Sequence, residues 1–416
     1  ITGVTLDGVL NSDNVSVDPT GLTGTLSGSD AGTYTGVSLP RLTLTGGAAS
    51  NYTLPQSMGA VPASVTISKA TLTATGATVA SKTYDGNTAA SVSSVTFTGL
   101  VPGEALALGT DYTATGTFAD ANAGTGKSVS IAVTLKDSAK ANNYNLTNGS
   151  VNATGTIAKA SSSITTAPSA TGITYGQALS DSALTDGEGS VAGAFSWTAP
   201  ATKPNAGTAQ YEVTFTPTDT NYDTATVNVS VTVAKATPTL TAPTAGAIQY
   251  GQKLSDSTLT GGTATNPNGS AAVAGSWSWA SGNTRPTATG TFPVAFVPGD
   301  TANYNTPGNV DASVTVNPAA PKITLTVPAY QIAGGEVKVT YQVENPHDAA
   351  FKEDIPETVT LTYKVGDGAE QTLTGTSFTI PEGTAKDTVI TVTASTAAVD
   401  GKYTAATKTA TVTVTD

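Results

Sequence analysis

The chain of 416 residues contains 43 Gly, 22 Pro and no Cys, only 12% of its residues are charged, and its formal net charge is −12. This length is too great for one hydrophobic core and fits several domains of about 100 residues. The lack of Cys excludes disulfide scaffolds and zinc–thiolate sites, and the acidity argues against nucleic acid as a partner. The sequence has no apolar run of about 18 residues, so we expect no membrane insertion.

One pattern occurs five times along the chain: a tyrosine, a few polar residues, and then an alternating strand that ends in small residues. Its copies begin at SNYTL, NNYNL, TNYDT, ANYNT and GKYTA. The copies divide the chain into five predicted repeats, which are 1–70, 71–160, 161–236, 237–319 and 320–416. The junctions contain no Gly/Ser linker, which favours a semi-rigid series of domains over flexibly tethered ones.

The first two repeats are related to each other. GVTLDGVL at 3–10 aligns with SVTFTGLV at 94–101, and GSDAGTYTGVSL aligns with DANAGTGKSVSI. Repeat 1–70 therefore has no counterpart of residues 71–91 and is predicted to be truncated. We expect it to expose an unpaired sheet edge, a surface that invites strand addition.

The next two repeats form a second pair. ITYGQALSDSALTDG matches IQYGQKLSDSTLTGG, and VAGAFSWTA matches VAGSWSWAS. Repeat 320–416 differs from both pairs, because it has more Lys and Glu. A hairpin is predicted in TLTYKVGDGAEQTLTG, with its turn at Asp367-Gly368. The chain starts at ITGVTLDG without a signal segment and ends at VTVTD without an anchor motif, so we expect an excerpt of a longer parent chain.

The local sequence is typical of β-strands throughout. Stretches such as ASVTISKA, VNVSVTVAKA and TATVTVTD alternate apolar and polar residues with period two, as half-buried strands do. Gly, Pro, Asn and Asp interrupt them at the spacing expected of a sandwich. We predict an all-β chain of tandem Ig-like β-sandwich domains arranged as an elongated rod.

The recurring tyrosines are Tyr52, Tyr144, Tyr222, Tyr304 and Tyr403. Each lies just before the final strand of its repeat, where the chain crosses between sheets. A buried ring with its hydroxyl bonded to the backbone would fix that crossing, as in the tyrosine corner of Greek-key sandwiches. We therefore predict a structural role for these residues, with surface contact as the alternative.

Two sequence families are suggested by these motifs. SKTYDGNTAA, together with the ending NNYNL…GTIAKA, resembles the YDG-type repeat of large bacterial surface proteins. The ITYGQALSDS…AGTAQYEVTFTPTDTNY units resemble the MBG-type Ig-like repeats that often accompany it, and 320–416 is similar to a generic bacterial Ig-like domain. The resemblance covers about residues 1–319. It implies the stalk of an adhesin or of a cell-attached extracellular enzyme, and it brings no catalytic residues.

The sequence offers little for catalysis. Its single histidine, His347, lies in the loop VENPHDAAFKED and has no serine partner in a recognised elbow. Glycosidase chemistry needs two carboxylates across a cleft, and no repeat carries an insertion that would build one. We predict no enzyme activity, no catalytic residues and no organic cofactor.

Calcium is the one metal that the sequence suggests. Asp219 and Asp223 flank Asn221 in PTDTNYD, and Asp300 recurs near Asn303 in the next repeat. A hard cation needs several oxygen ligands, and domain junctions can supply them. Asp and Asn before a strand more often cap turns through their own backbone, so these are weak candidates.

The three tryptophans all lie in the second pair of repeats. Trp197 aligns with Trp279, and Phe195 aligns with Trp277. The alternate spacing places Trp277 and Trp279 on one face of a strand. If the two rings are exposed, they would form a platform for a sugar ring. If they are buried, they would fill the core, and their repetition at equivalent positions favours this alternative.

These observations give two functional hypotheses. The leading one is a non-catalytic extracellular stalk or spacer of a bacterial surface protein, either on the cell surface or secreted, which is monomeric and has other domains of its parent chain as neighbours. The alternative is an adhesin or carbohydrate-binding segment that uses the aromatic residues of 161–319, or the final repeat, to bind a host or dietary glycan or a host protein.

Overall fold

A computed structural model describes residues 1, 3–56 and 61–416. In this part of the chain every regular element is a β-strand, apart from four single-turn 3₁₀ helices at Ala49–Asn51, Ala141–Asn143, Leu179–Asp181 and Leu254–Asp256. The prediction of an all-β chain is therefore confirmed. Among the described residues no helix has the length and hydropathy needed to cross a membrane.

Contacts between residues divide the chain into two compact units. Unit 1 comprises Ile1–Thr166, Glu188–Phe195 and Thr214–Thr226, and unit 2 comprises Ala167–Gly187, Ser196–Val213 and Val227–Asp416. The strands alternate in burial as their sequences predict. The strand Val389–Thr396, for example, buries every second side chain, because successive residues of a strand point to opposite faces.

Repeat 1–70 contains two short antiparallel pairs. Its strands are β1 (Ser16–Val17), β2 (Gly32–Val37), β3 (Leu44–Thr45) and β4 (Val61–Ile67). β1 pairs with β3, and β2 pairs with β4. Residues 3–10 and 52–56 form no strand.

Repeat 71–160 has two sheets that share one core. Its strands are β5 (Ala70–Val79), β6 (Lys82–Thr83), β7 (Ala89–Ala90), β8 (Val92–Thr98), β9 (Tyr112–Phe118), β10 (Gly124–Leu135), β11 (Tyr144–Asn148) and β12 (Ser150–Ala158). The strand orders are β6-β12-β10-β9-β7 and β11-β5-β8. Ala74 of the smaller sheet packs in one cluster with Phe118, Val129 and Ile131 of the larger sheet, which gives a two-layer arrangement.

Repeat 161–236 contains a four-stranded sheet. Its strands are β13 (Ile164–Thr166), β14 (Ser169–Ala170), β15 (Ile173–Thr174), β16 (Leu184–Thr185), β17 (Glu188–Gly189), β18 (Gly193–Trp197), β19 (Gly207–Pro217) and β20 (Ala225–Ala234). The sheet order is β15-β20-β19-β18.

Repeat 237–319 follows the same plan. Its strands are β21 (Thr239–Thr241), β22 (Thr244–Ala245), β23 (Ile248–Gln249), β24 (Leu259–Thr260), β25 (Thr263–Thr265), β26 (Gly275–Trp279), β27 (Gly290–Pro298), β28 (Val310–Val314) and β29 (Val316–Asn317). β26, β27 and β28 form one sheet, and β23 pairs with β29.

Repeat 320–416 ends the chain with a five-stranded sheet. Its strands are β30 (Lys322–Thr326), β31 (Tyr330–Ile332), β32 (Glu336–Lys338), β33 (Thr340–Glu344), β34 (Val359–Val365), β35 (Gln371–Thr372), β36 (Ser377–Thr379), β37 (Val389–Thr396) and β38 (Ala406–Thr415). The sheet order is β31-β38-β37-β34-β35. β34 and β35 pair antiparallel, so the predicted hairpin is present.

One parallel pairing recurs in the second, third and fourth repeats. In each of these repeats, a two-residue strand near the start pairs with the last strand of the same repeat: β6 with β12, β15 with β20, and β23 with β29. The residue after each two-residue strand is a tyrosine, and its backbone N–H donates to the partner strand at 2.8 Å in Tyr84, Tyr175 and Tyr250. The topology therefore carries a tyrosine to the end of the repeat, where the next repeat begins.

Candidate functional site

The recurring tyrosine of each later repeat contacts the alanine that ends the repeat before it. Parallel bridges join Ala160 to Tyr222, Ala236 to Tyr304 and Ala319 to Tyr403, and Ala70 pairs with Tyr144 where β5 meets β11. At the contact between Ala160 and Tyr222, the N–H of Ala160 donates to Asn221 O, and Ala160 O accepts from the N–H of Asp223, both at 2.9 Å. We call these four places the Tyr144, Tyr222, Tyr304 and Tyr403 joints.

At three joints a tyrosine from the preceding repeat packs edge-on against the joint tyrosine. The ring centroids are 5.7 Å apart for Tyr84 and Tyr222, 5.2 Å for Tyr175 and Tyr304, and 5.3 Å for Tyr250 and Tyr403, with interplanar angles of 79°, 85° and 77°. Aromatic pairs favour this edge-to-face geometry, because the positive ring edge meets the negative ring face. The same contact is therefore built three times.

The residue before the joint tyrosine is an asparagine at the first three joints, and it binds a turn of the preceding repeat. The side-chain oxygens of Asn143, Asn221 and Asn303 accept from the backbone N–H groups of Ala31, Ala123 and Ala206, at 2.6, 2.7 and 2.8 Å. These turns read DAGT, NAGT and NAGT. Asn221 and Asn303 are buried. Removing one partner of such a bond leaves a buried polar group unpaired, which costs about 1–3 kcal/mol.

Two of the predicted calcium ligands hold these asparagines in place. The carboxylate of Asp219 accepts from the side-chain nitrogen of Asn221 at 2.7 Å, and that of Asp300 accepts from Asn303 at 2.8 Å. The hydrogen bond from Asn303 also lowers the pKa of Asp300. Asp223 contributes its backbone N–H to the Tyr222 joint. Within residues 1, 3–56 and 61–416 no group of three or more His, Asp or Glu is placed to hold a metal ion, and the calcium hypothesis stays a prediction.

The hydroxyls of four of the recurring tyrosines bond within their own repeats. Tyr52 accepts from Leu10 N, and Tyr144 accepts from Val101 N, each at 3.0 Å. Tyr304 and Tyr403 instead accept from side-chain amides, as described below. Burial raises the pKa of Tyr144 and of Tyr403. The assignment of all five residues as tyrosine corners stays a prediction.

Matching Asn-Pro turns connect the two tyrosines of the last two joints. The side-chain nitrogen of Asn266 donates to the Tyr304 hydroxyl at 3.2 Å and to Tyr175 O at 3.4 Å. Asn345 does the same with the Tyr403 hydroxyl at 2.9 Å and Tyr250 O at 3.2 Å. Both amides are buried. Each therefore links a tyrosine of its own repeat to a tyrosine of the repeat before.

The Tyr403 joint contains an ion pair. Lys402 precedes Tyr403, whereas an asparagine precedes the tyrosine at the other three joints. Lys402 pairs with Asp354, whose carboxylate also accepts from the Tyr250 hydroxyl at 2.8 Å. The bonds from Lys402 and then from Tyr250 hold the pKa of Asp354 below its usual value. Burial, followed by the bond to Asp354, raises the pKa of Tyr250.

The loop between β33 and β34 adds further contacts to the same joint. Arg285 pairs with Asp348 of this loop and lies over the ring of Phe351, 5.3 Å from its centroid. The ring nitrogen Nε2 of His347 lies 2.7 Å from the side-chain oxygen of Gln249. His347 therefore lies at this joint, and its ring contacts an amide.

Two of the three tryptophans lie in the core. Trp197 and Trp279 are 6% and 9% exposed, and their indole N–H groups donate to Ser182 O and Ser257 O. Trp277 is half-buried and packs against Phe296, with centroids 4.9 Å apart. Trp277 and Trp279 line an open depression of about 400 Å³. A glycan-binding role for these residues stays a prediction.

At three joints the partner tyrosine from the preceding repeat was not predicted from the sequence. Tyr84, Tyr175 and Tyr250 were not predicted to contact the recurring tyrosines, although Tyr175 and Tyr250 both open the repeated string YGQ. The repeated NAGT turn was a second signal, because a short Asn- and Gly-containing string at equivalent positions indicates a required backbone shape.

Comparison with known proteins gives one sequence match. Residues 1–59 and 68–154 match the YDG domain. The resemblance of the first two repeats to YDG-type repeats is thus supported, and that of 161–319 to MBG-type repeats stays a prediction. No curated protein matches the chain.

Similar solved structures include Sidekick-1 immunoglobulin domains 1–5, with 12% identity, 93% of this chain and 86% of that chain covered, and a TM-score of 0.25. Drosophila N-cadherin EC1–4 has 12% identity, 83% and 100% coverage, and a TM-score of 0.23. These values are too low to transfer any property to this chain.

Proposed function

We propose that the chain is a non-catalytic spacer, namely an extracellular stalk segment of a bacterial surface protein that separates functional modules of a longer parent chain. The observation that carries this proposal is the recurrence of one joint at four successive repeat ends. A backbone contact between an alanine and a tyrosine recurs at all four, and an edge-on tyrosine pair recurs at three of them. Contacts of this kind restrict rotation between neighbouring repeats, which a spacer requires and catalysis does not.

Three carboxylates have structural roles within the joints. The carboxylates of Asp219 and Asp300 cap the turns that hold the joint asparagines, and Asp354 is paired with Lys402. The extracellular bacterial setting rests on the resemblance of the first two repeats to YDG-type repeats, which the match to the YDG domain supports.

Small-angle X-ray scattering of the whole chain tests the proposal. Five repeats of roughly 40 Å in a line would give a length of about 200 Å and a radius of gyration of roughly 60 Å, whereas a compact chain of this length has about 22 Å. We expect a value near the first figure. A value near the second would contradict the spacer function.

A matched pair of variants links the scattering result to the joints. Replacing Tyr222 and Tyr304 by Ala should broaden the distribution of interatomic distances, because two tyrosine pairs are lost. Tyr330→Ala serves as the control, since Tyr330 is 68% exposed and lies outside the joints. Identical scattering from both variants would show that the tyrosine pairs do not restrict the arrangement of the repeats.

Carbohydrate binding is the second candidate, and the half-buried Trp277 beside an open depression favours it. A glycan that stacks on the indole would shift the tryptophan emission and protect it from iodide. Trp277→Phe is the matched control, because the preceding repeat has Phe195 at the aligned position. If no glycan of a panel changes the tryptophan emission, carbohydrate binding is rejected and the spacer function is retained.

A further inference from the structure

An apolar groove of about 800 Å³ opens in repeat 1–70. Its lining includes Val4, Leu6, Leu26, Val37, Leu39 and Leu54. In the alignment with repeat 71–160, these residues correspond to Val95, Phe97, Phe118, Val129, Ile131 and Leu146. Phe118, Val129 and Ile131 are buried in one core cluster, and the other three pack against it. The groove of the first repeat is therefore lined by core positions.

In repeat 71–160 the equivalent space is filled by strand β5. Leu72 and Ala74 of this strand are 0% and 2% exposed. β5 occupies the middle of its sheet, because it pairs in parallel with β11 and antiparallel with β8. Repeat 1–70 has no counterpart of this strand in the alignment.

The segments on either side of the groove also point to a central strand. Residues 3–10 align with the end of β8 and the turn after it, and residues 52–56 align with β11. Their counterparts are strands that pair with β5, whereas residues 3–10 and 52–56 form no strand. Both edges that β5 would join are therefore open to pairing.

We propose that this groove is a docking site for one extended β-strand with the residue pattern of Ala70–Val79, the opening strand of a YDG-type repeat. Backbone bonds to both flanking segments would give affinity, and alternate apolar side chains facing the groove would give specificity, as in β-strand addition. The strand would belong to a polypeptide segment other than Ala70–Val79 of this chain. A second copy of this chain is disfavoured, because its own Ala70–Val79 already lies between β8 and β11.

The second repeat also defines the expected register. Leu72 pairs with Leu146 in the parallel β5–β11 pair, and Leu146 aligns with Leu54. The residue of the added strand that corresponds to Leu72 would thus lie opposite Leu54, and the strand would run parallel to 52–56 and antiparallel to 3–10.

Hydrogen exchange of the whole chain, read by mass spectrometry, tests the docking site. A peptide with the sequence of residues 70–79 should slow exchange in 3–10 and 52–56 by about tenfold or more, and the effect should saturate, because the new strand bonds protect both segments. A matched peptide with Leu72→Asp should give no protection, because a carboxylate would be placed in an apolar groove.

A second form of the experiment removes the dependence on peptide affinity. Residues 71–91 are joined directly before Ile1, which reproduces the spacing of the second repeat and raises the effective concentration of the strand. We expect the same protection, and none when this extension carries Leu72→Asp. Protection by the extension alone still supports the docking site and indicates weak binding of the free peptide.

Three results would overturn the proposal. The first is unchanged exchange of 3–10 and 52–56 with both the peptide and the extension. The second is equal protection by the wild-type and Leu72→Asp sequences, which would indicate adhesion without specificity. The third is protection that grows with protein concentration alone, together with a dimer in light scattering, because a second copy would then fill the groove.

Discussion

The Tyr222 and Tyr403 joints share one plan but differ in burial. Both have an alanine–tyrosine bridge and an edge-on tyrosine pair. Tyr84 and Tyr222 are half-buried, whereas Tyr250 and Tyr403 are 0% and 1% exposed. The joint that is more deeply buried is the one that the last repeat surrounds with a longer loop.

The loop of residues 345–358 accounts for this difference. Phe351 and Ile355 of the loop pack against the same core cluster that contains Tyr250, Trp279 and Tyr403. The tyrosine pair is common to the two joints, and the residues placed around it determine how much apolar surface each joint removes from water. Joints of one chain can thus differ in stability while keeping the same geometry.

The largest expected effect separates the two joints directly. Tyr403→Ala should lower the local free energy of unfolding around β29 by about 3–5 kcal/mol, because a fully buried ring leaves a cavity. Tyr222→Ala should lower that around β20 by about 1–2 kcal/mol, since its ring is half-exposed in the folded state. Hydrogen exchange of each variant measures both values. Equal losses at the two joints would refute the comparison.

A glycine substitution sharpens the comparison at the Tyr403 joint. Gly251 has φ +89°, and an added Cβ would lie 2.1 Å from the side-chain nitrogen of Asn345. Gly251→Ala should therefore cost about 2–4 kcal/mol, from backbone strain and displacement of a buried amide.

Gly86→Ala is the matched control for Gly251→Ala. Gly86 has φ +79° but no atom within 4 Å of an added Cβ, so only backbone strain of about 1 kcal/mol is expected. Thermal unfolding of both variants provides the test. A similar loss in both would show that the asparagine contact adds nothing.

The pH dependence of the Tyr403 joint follows from Asp354. Its pKa is lowered in the folded state, by Lys402 first and Tyr250 second, so its contribution is present above the unfolded pKa of about 4 and is lost as pH falls through the folded value. Asp354→Asn should flatten the acid side of the stability profile of the last two repeats. An unchanged profile in the Asp354→Asn variant would contradict this account.

The sequence predicted the strands well because alternation within a strand is a local signal. The alternating stretches VNVSVTVAKA and TATVTVTD both form long strands, β20 and β38. The recurrence of Tyr222, Tyr304 and Tyr403 was equally visible, since equivalent positions of repeats align.

The partners of these tyrosines were not predictable in the same way. Self-alignment places Tyr175 beside Tyr250, as equivalent residues of two repeats, whereas the contacts join Tyr175 to Tyr304 and Tyr250 to Tyr403. Contacts between neighbouring repeats require the topology, in which a short parallel strand carries one tyrosine to the end of its repeat. The Arg285–Asp348 pair occurs in one joint, so repetition gave no signal for it.

A double-mutant cycle on Tyr175 and Tyr304 tests the central claim most directly. Tyr175→Leu, Tyr304→Leu and the double variant are unfolded in urea as whole chains and followed by tryptophan fluorescence, which reports on the two repeats joined by this pair, because Trp197, Trp277 and Trp279 all lie in 161–319. If the tyrosine pair couples neighbouring repeats, the cycle gives an interaction energy of about 0.5–1.5 kcal/mol. Losses that add to within about 0.3 kcal/mol would contradict the account, because each ring would then act within its own repeat alone.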